Sequence, residues 1–337
     1  MKILVTGAAG FIGFHLSLKL SNSGHTVIGL DNINDYYDIN LKYLRLKQAG
    51  IEKEKIDYNK KTESIITPNY EFIKLDLKDK DNLFLLFKSE KFDCICNMAA
   101  QAGVRYSLEN PYTYVENNIN GFINILEACR NYNIKHLIYA SSSSVYGMNK
   151  KTPFSVEDKT DNPVSLYAAT KKSNELMAFT YAHLYNIPCT GLRFFTVYGP
   201  WGRPDMAYFK FANFISENKP IDVYNHGNML RDFTYIDDIT NGISASLENI
   251  PDTGNTPFVV YNLGNNKPVK LNEFINILEK YLGRKANKNY LDMQPGDVPA
   301  TMADIDFTYK NLVWKPSTSI EDGLKLFVDW YNVYKKL

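Results

Sequence analysis

The sequence predicts an α/β protein on a doubly wound parallel sheet, with a smaller mixed α/β lobe toward the carboxyl end. Two observations carry that prediction. Short apolar runs alternate with amphipathic helical stretches through the first half of the chain, the pattern of a parallel sheet covered on both faces. A glycine-rich turn, TGAAGFIG, stands between the first apolar run and the first helical stretch.

Taken in order, the strands are KILVT (2–6), TVIGL (26–30), EFIKL (71–75), FDCIC (92–96), HLIYA (136–140) and PCTGLRF (188–194). Each is an apolar or β-branched run of the length a buried strand needs. Helices are expected near 11–23, 79–90, 112–132 and 165–186, and the Lys-, Asn- and Tyr-rich segment 35–69 reads as a helix plus loop inserted before the third strand. After about residue 195 the alternation weakens, Gly and Pro become frequent, and strands such as FVVYNL (258–263) mix with short helices. Residues 1–195, with returning segments near 230–265, are expected to form the nucleotide-binding domain, and 196–337 mostly a substrate-binding lobe.

Composition narrows the function classes. Among 337 residues, 38 Lys and Arg nearly balance 37 Asp and Glu, which argues against a nucleic-acid stripe or a basic membrane face. No stretch approaches the about 18 apolar residues of a membrane span, and MKILVTGAAG enters a strand without a signal-type apolar region. The expectation is a soluble cytoplasmic protein. Cys94, Cys96, Cys129 and Cys189 lack metal-ligand spacing and read as buried thiols in a reducing compartment; no metal site is expected.

In TGAAGFIG, Gly7, Gly10 and Gly13 follow the first strand and open the first helix. Residues without Cβ there let backbone N–H groups and the positive helix end meet a pyrophosphate. The glycines alone also suit a purely structural turn. Asp31, closing the second strand, shifts the reading: its carboxylate can accept both hydroxyls of a ribose and would repel the extra phosphate of NADP. A Rossmann-type NAD site follows.

Six of the 24 tyrosines have Lys at the fourth following position: Tyr43, Tyr70, Tyr146, Tyr167, Tyr281 and Tyr331. Spacing therefore decides nothing. Tyr167 alone is expected on a helix that begins just after a strand-and-loop unit, the one carrying SSSSVYG (141–147). On a helix, i and i+4 are neighbours, so the Lys171 ammonium is expected to stabilise a Tyr167 phenolate and lower its pKa toward acid–base work on an alcohol. The bland reading, a surface Tyr and Lys on an amphipathic helix, stands for the other five pairs.

TGAAGFIG, Asp31, NMAAQAGV, SSSSVYG and YAATK in this order resemble the extended short-chain dehydrogenase/reductase family over essentially the whole chain. AGVRYSLENP (102–111), NPVSLYAATKKSNELMA (162–178) and GLRFFTVYGPWGRPDMA (191–207) resemble the UDP-glucuronate 4-epimerases among them. The resemblance implies an NAD-dependent isomerase acting on a UDP-sugar. Tyr167 then takes the 4-hydroxyl proton as the C4 hydride passes to NAD, Ser142 hydrogen-bonds that hydroxyl, and Lys171 holds the nicotinamide ribose. The 4-keto sugar turns over and receives the hydride on its other face. Cofactor contacts implied in the same way are Phe11, Ile12, Asn32, Asp76, Leu77, Ala99, Ala100 and Asn117, beside the glycines and Asp31.

A glucuronate adds a hazard, because a 4-keto group makes its C6 carboxylate part of a β-keto acid that loses CO₂. Ser143, Ser144, Thr196 and Arg203 are the groups expected around that carboxylate, since hydroxyl donors and a bidentate Arg both suit it. Ser143 and Ser144 equally fit as loop hydroxyls that satisfy backbone groups. Related dehydratases and decarboxylases carry acids in these positions, so two serines favour epimerisation. Arg231 matches a phosphate-pairing arginine and Asp297 a uridine-ribose residue, while Gln294 departs from the arginine of many glucose epimerases. Arg105 is assigned to the substrate side, with a loop-ordering salt bridge as the alternative. The helices 112–132 and 165–186 correspond to a four-helix dimer contact, implying a homodimer. The competing readings are a UDP-glucose or UDP-N-acetylhexosamine 4-epimerase, a UDP-glucuronate decarboxylase, and a non-catalytic NAD-binding protein, which would have lost Tyr167 or Lys171.

Overall fold

The computed structural model describes residues 1–252, 254, 256–293 and 298–336. Among them, the main sheet has eight strands in the order Phe258–Leu263, Cys189–Phe194, His136–Ser142, Cys94–Asn97, Lys2–Thr6, Thr26–Asp31, Tyr70–Lys74 and Lys61–Glu63. Neighbours pair in parallel except the last, which runs antiparallel to Tyr70–Lys74 and closes that edge. The six strands expected in the first half are all present, with shifted ends. The short edge strand Lys61–Glu63 lies inside the insertion and was missed, because a three-residue run carries no periodicity.

Chain order reverses between Lys2–Thr6 and Cys94–Asn97, so the loops leaving their carboxyl ends diverge and open a crevice. Both faces of the sheet are covered. Ile3, Val5, Val27 and Phe72 pack into one apolar layer and Leu4, Ile28, Ile73 and Ile95 into the other, as strict alternation along buried strands requires.

The stretch expected at 112–132 is one uninterrupted helical run, Pro111–Tyr114 and Gly121–Asn131 joined by a π-helical segment Val115–Asn120. Apolar periodicity cannot register such a wide turn, whose cause is polar: the Asn118 side chain is drawn inward to hydrogen-bond elsewhere in the fold. Leu166–Tyr185 forms as expected, with Ser165 capping its start by accepting from the Ala168 N–H at 3.1 Å and Asn186 ending it in the left-handed region. Beyond the sheet, Thr196–Tyr198 pairs with Phe233–Tyr235, and Ile221–Tyr224 with Lys288–Leu291. None of the described helices is long and apolar enough to cross a membrane. The four cysteines are buried free thiols.

Candidate active site

A cleft of 960 Å³ opens at the reversal point. It is lined by every site residue named from the sequence except Asp297, which, like Gln294, lies outside the described residues. Residues as far apart in sequence as Gly7 and Arg231 therefore share one cavity.

Its floor is the glycine turn. Gly7 has φ 71°, and a Cβ there would stand 2.9 Å from the Ala99 nitrogen; one on Gly13 would stand 2.2 Å from the Gly7 carbonyl oxygen. The turn closes by the Gly10 N–H donating to the Gly7 carbonyl at 2.9 Å, and Gly10 starts the helix Phe11–Asn22 without any side-chain cap. The helix end thus faces the cleft with its own N–H groups, which is the cradle a pyrophosphate needs. Asp31 accepts from the Ala9 N–H at 3.1 Å with one oxygen and from the Ile33 N–H at 2.7 Å with the other. Both bonds fix its carboxylate at the cleft wall, where each oxygen keeps lone pairs for ribose hydroxyls. The donor set fits a dinucleotide. Asn32 donates to Asp76 at 3.1 Å, which holds those two cleft residues together.

Four polar residues that sequence reasoning missed, Thr6, Asn97, Asn118 and Lys42, support this wall. Thr6 donates to Asn97 at 2.7 Å and accepts from the Ala99 N–H at 3.1 Å, fixing the loop of Ala99 and Ala100. Asn118 accepts from the Gln101 N–H at 2.8 Å and donates to the Gln101 carbonyl and to Thr170, both at 3.0 Å. It thereby ties that loop to the tyrosine helix, while its neighbour Asn117 lines the cleft. Lys42, from the insertion, is also buried at the cleft and donates to Asn34 at 2.7 Å. The isolated polar letters in apolar context were the available signal for Thr6 and Asn97; Asn118 and Lys42 left none.

Tyr167 is the second residue of its helix, partly buried and beside the positive helix end. Burial pushes its phenol above its ordinary value, while a hydrogen bond with Ser142 and the Arg203 charge pull it down. The expected lowering by Lys171 is thus corrected. The Lys171 ammonium is turned to the Ala140 carbonyl at 2.8 Å, and burial brings its own pKa down to about 8. Ser142 links both sides, since its hydroxyl also accepts the Ser144 N–H at 3.1 Å. Helical placement does not single Tyr167 out, for Tyr43, Tyr281 and Tyr331 also lie in helices, Ile39–Gln48, Leu271–Leu282 and Ile320–Tyr334. What separates Tyr167 from the other five tyrosines of that spacing is sharing the cleft with its Lys and Ser142.

Ser143, Ser144, Thr196 and Arg203 line the same cleft. Of the loop serines it is Ser142 that satisfies a backbone group through its side chain. Arg203 grips Asp205 through Nε at 3.0 Å and Nη2 at 2.5 Å, and the Tyr36 hydroxyl reaches the same carboxylate at 3.3 Å. Arg231 donates to the Leu230 carbonyl at 3.0 Å and lines the cleft mouth with Arg105, whose guanidinium lies 4.6 Å over the Tyr224 ring. Below the serines, Arg193 and Glu175 form a buried pair that also engages Ser141 and Tyr146.

Comparison with known proteins accords with this geometry. The chain is 55% identical to Protein CapI of Staphylococcus aureus over the full length of both. It is 48% identical to UDP-glucuronate 4-epimerase 4 of Arabidopsis thaliana, over 99% of this chain and 76% of that protein. Its fold superposes with a TM-score of 0.87 on the UDP-glucuronic acid 4-epimerase of Bacillus cereus in complex with UDP-glucuronic acid and NAD, at 35% identity, covering 99% of this chain and 100% of that one. Residues 3–264 match the NAD dependent epimerase/dehydratase family, and the chain belongs to that family.

Proposed function

We propose that this protein is an isomerase that interconverts UDP-glucuronate and UDP-galacturonate by inverting C4 through a transient 4-keto sugar. The observation that carries the reading is one cavity lined together by Tyr167, Ser142 and Lys171, by the glycine cradle, and by Ser143, Ser144, Thr196 and Arg203. The names of the Arabidopsis and Bacillus relatives support the same sugar.

NAD, when bound, supplies a reversible two-electron acceptor. Gly7, Gly10, Gly13, Phe11 and Ile12 would hold its pyrophosphate and Asp31 and Asn32 its adenosine ribose. Asp76, Leu77, Ala99, Ala100 and Asn117 would line its remaining length. The protein's own chemistry is proton handling and restraint. Tyr167 takes the C4 hydroxyl proton and later returns it, Ser142 shares that hydrogen bond, and the Ser142 bond, the Arg203 charge and the helix end favour a phenolate against burial, while Lys171 would hold the nicotinamide ribose. Ser143, Ser144 and Thr196 donate hydroxyls to the C6 carboxylate, with Arg203 close by, so that its bond to C5 stays out of line with the keto π system. Positions 143 and 144 carry no acid that could protonate a leaving group. Arg231 and Arg105 face the diphosphate side of the cleft, and Asp297 is assigned to the uridine ribose from the sequence pattern alone. Residues 1–195 with the returning segments form the cofactor domain and 196–337 mostly the sugar-nucleotide lobe. The enzyme acts in the cytoplasm as a homodimer, through the faces of the helices ending at Asn131 and Tyr185; Leu176, Phe179 and Leu184 are exposed on the latter.

Incubating the purified protein with UDP-glucuronate and resolving the products tests this. UDP-galacturonate is the expected product. UDP-xylose with CO₂ would transfer the protein to the decarboxylases, and rapid UDP-galactose conversion without action on UDP-glucuronate would overturn the carboxylate pocket.

A further inference from the structure

Arg45, on the insertion helix Ile39–Gln48, is completely buried, and among the described residues it contacts no carboxylate. A guanidinium removed from water without a counter-ion persists only where its N–H groups are met otherwise. Four of its five are. Nε donates to the Trp201 carbonyl at 2.9 Å and Nη2 to the Gly202 carbonyl at 3.0 Å. Nη1 donates to the Ala9 carbonyl at 2.9 Å and to the Tyr37 hydroxyl at 2.7 Å.

The two groups of acceptors belong to different halves of the site. Ala9 is inside the glycine turn, one residue before Gly10. Trp201 and Gly202 immediately precede Arg203, and Trp201 is held at φ 59°, in the left-handed region that a bulky side chain avoids. The His15 Nε2 adds a third anchor, 3.0 Å from the Pro200 carbonyl, so three successive carbonyls of this loop point at the cofactor side of the fold. Burial brings the His15 pKa down to about 4, so the ring is neutral near pH 7 and donates from Nε2 to that carbonyl.

We infer that Arg45 is a positioning residue that registers the Arg203 loop against the NAD-binding turn, so that one planar guanidinium aligns the cofactor floor with the wall that Arg203 lines. Only a rigid fork reaches both loops at once; a lysine, with the same charge at a single point, serves one of them. The inference rests on NAD in the cleft and holds whichever UDP-sugar enters it.

The test is Arg45→Lys, with Tyr37→Phe beside it to remove a single acceptor. In Arg45→Lys, NAD binding, read by protein fluorescence without sugar, is expected to weaken about tenfold, and KM for the UDP-sugar to rise by a similar factor at saturating NAD. The value of kcat should stay within about threefold, because Tyr167, Ser142 and Lys171 are anchored elsewhere. Tyr37→Phe should move the same quantities in the same direction by less. A folded Arg45→Lys protein with unchanged NAD affinity and KM, whether or not its melting temperature falls, overturns the inference. If Arg45→Lys does not fold, hydrogen exchange on the unaltered protein decides: NAD should slow exchange in residues 199–203 together with 7–13, and protection confined to 7–13 refutes the coupling. Failure to turn over UDP-glucuronate would leave the NAD-binding and hydrogen-exchange readouts untouched.

Discussion

Glu175 and Arg193 meet beneath the serine loop in a bidentate pair, Nε to Oε1 at 2.8 Å and Nη2 to Oε2 at 2.9 Å, with both side chains almost wholly buried. Burial pushes the Glu175 carboxyl up, but the bonds from Arg193 outweigh it and hold the pKa below the usual value. Ser141 donates to the same carboxylate at 2.7 Å, and Arg193 to the Tyr146 hydroxyl at 3.1 Å. Glu175→Ala leaves a buried guanidinium without its anion and is expected to cost about 3–5 kcal/mol in urea unfolding at neutral pH. Because the folded pKa lies below the unfolded one, this stabilisation is present above the unfolded value of 4.5 and is lost as pH falls through the folded one. The mutant should therefore be less acid-sensitive than the parent; equal acid slopes would show the pair carries no linkage.

Lys171 predicts a slope of the same sign, displaced to the alkaline range. Its folded pKa of about 8 lies below the ordinary 10.5, so between those values the unfolded chain binds the extra proton and stability contributed at this position rises with pH. Relative to Lys171→Met, the parent should gain about 2 kcal/mol between pH 7.5 and 9.5 in urea midpoints. A difference independent of pH would mean that the ammonium is not desolvated.

Tyr167→Phe removes the proton carrier but keeps the ring, and is expected to cut kcat about a thousandfold or more with the unfolding midpoint preserved. Ser142→Ala should cost less in rate and should move the acid limb of the pH profile to higher pH, since Ser142 lowers the Tyr167 pKa and the base acts as phenolate. Substantial turnover in Tyr167→Phe would take the phenol out of its assigned role.

Gly13→Ala places a Cβ 2.2 Å from the Gly7 carbonyl oxygen and 3.1 Å from the Ala8 Cα, both backbone atoms that cannot swing aside. The turn must open, at about 1–3 kcal/mol of stability, and NAD affinity should fall at least about tenfold. Isothermal titration with NAD alone checks this, and unaltered affinity would mean that the cofactor does not rest on this turn.

Much of the site was legible in the sequence because backbone chemistry has few solutions. A pyrophosphate cradle needs glycines at the end of a strand, and a helix that presents Tyr167 and Lys171 needs a cap, which Ser165 supplies. The tyrosine pKa was misread for want of a direction. Spacing puts a lysine near a tyrosine, but only packing shows that the Lys171 ammonium turns to the Ala140 carbonyl and that burial dominates. The π-helical segment at Val115–Asn120 was invisible because a single inward asparagine leaves no periodic trace.

By itself, then, the sequence determined the doubly wound sheet and the glycine turn, since each follows from local periodicity or from residue types that one chemistry demands, while the tyrosine–lysine–serine set was named with the help of the family resemblance. Only the tertiary structure decided how those parts are held. The Asn118 bridge, the Arg193–Glu175 pair and the Arg45 clamp each join segments distant in the chain. The partners of Asn118 and Arg45 are mostly backbone carbonyls and amides, groups that every residue carries, and those of the Arg193–Glu175 pair are side chains that only the fold brings together, so no local pattern could have announced them.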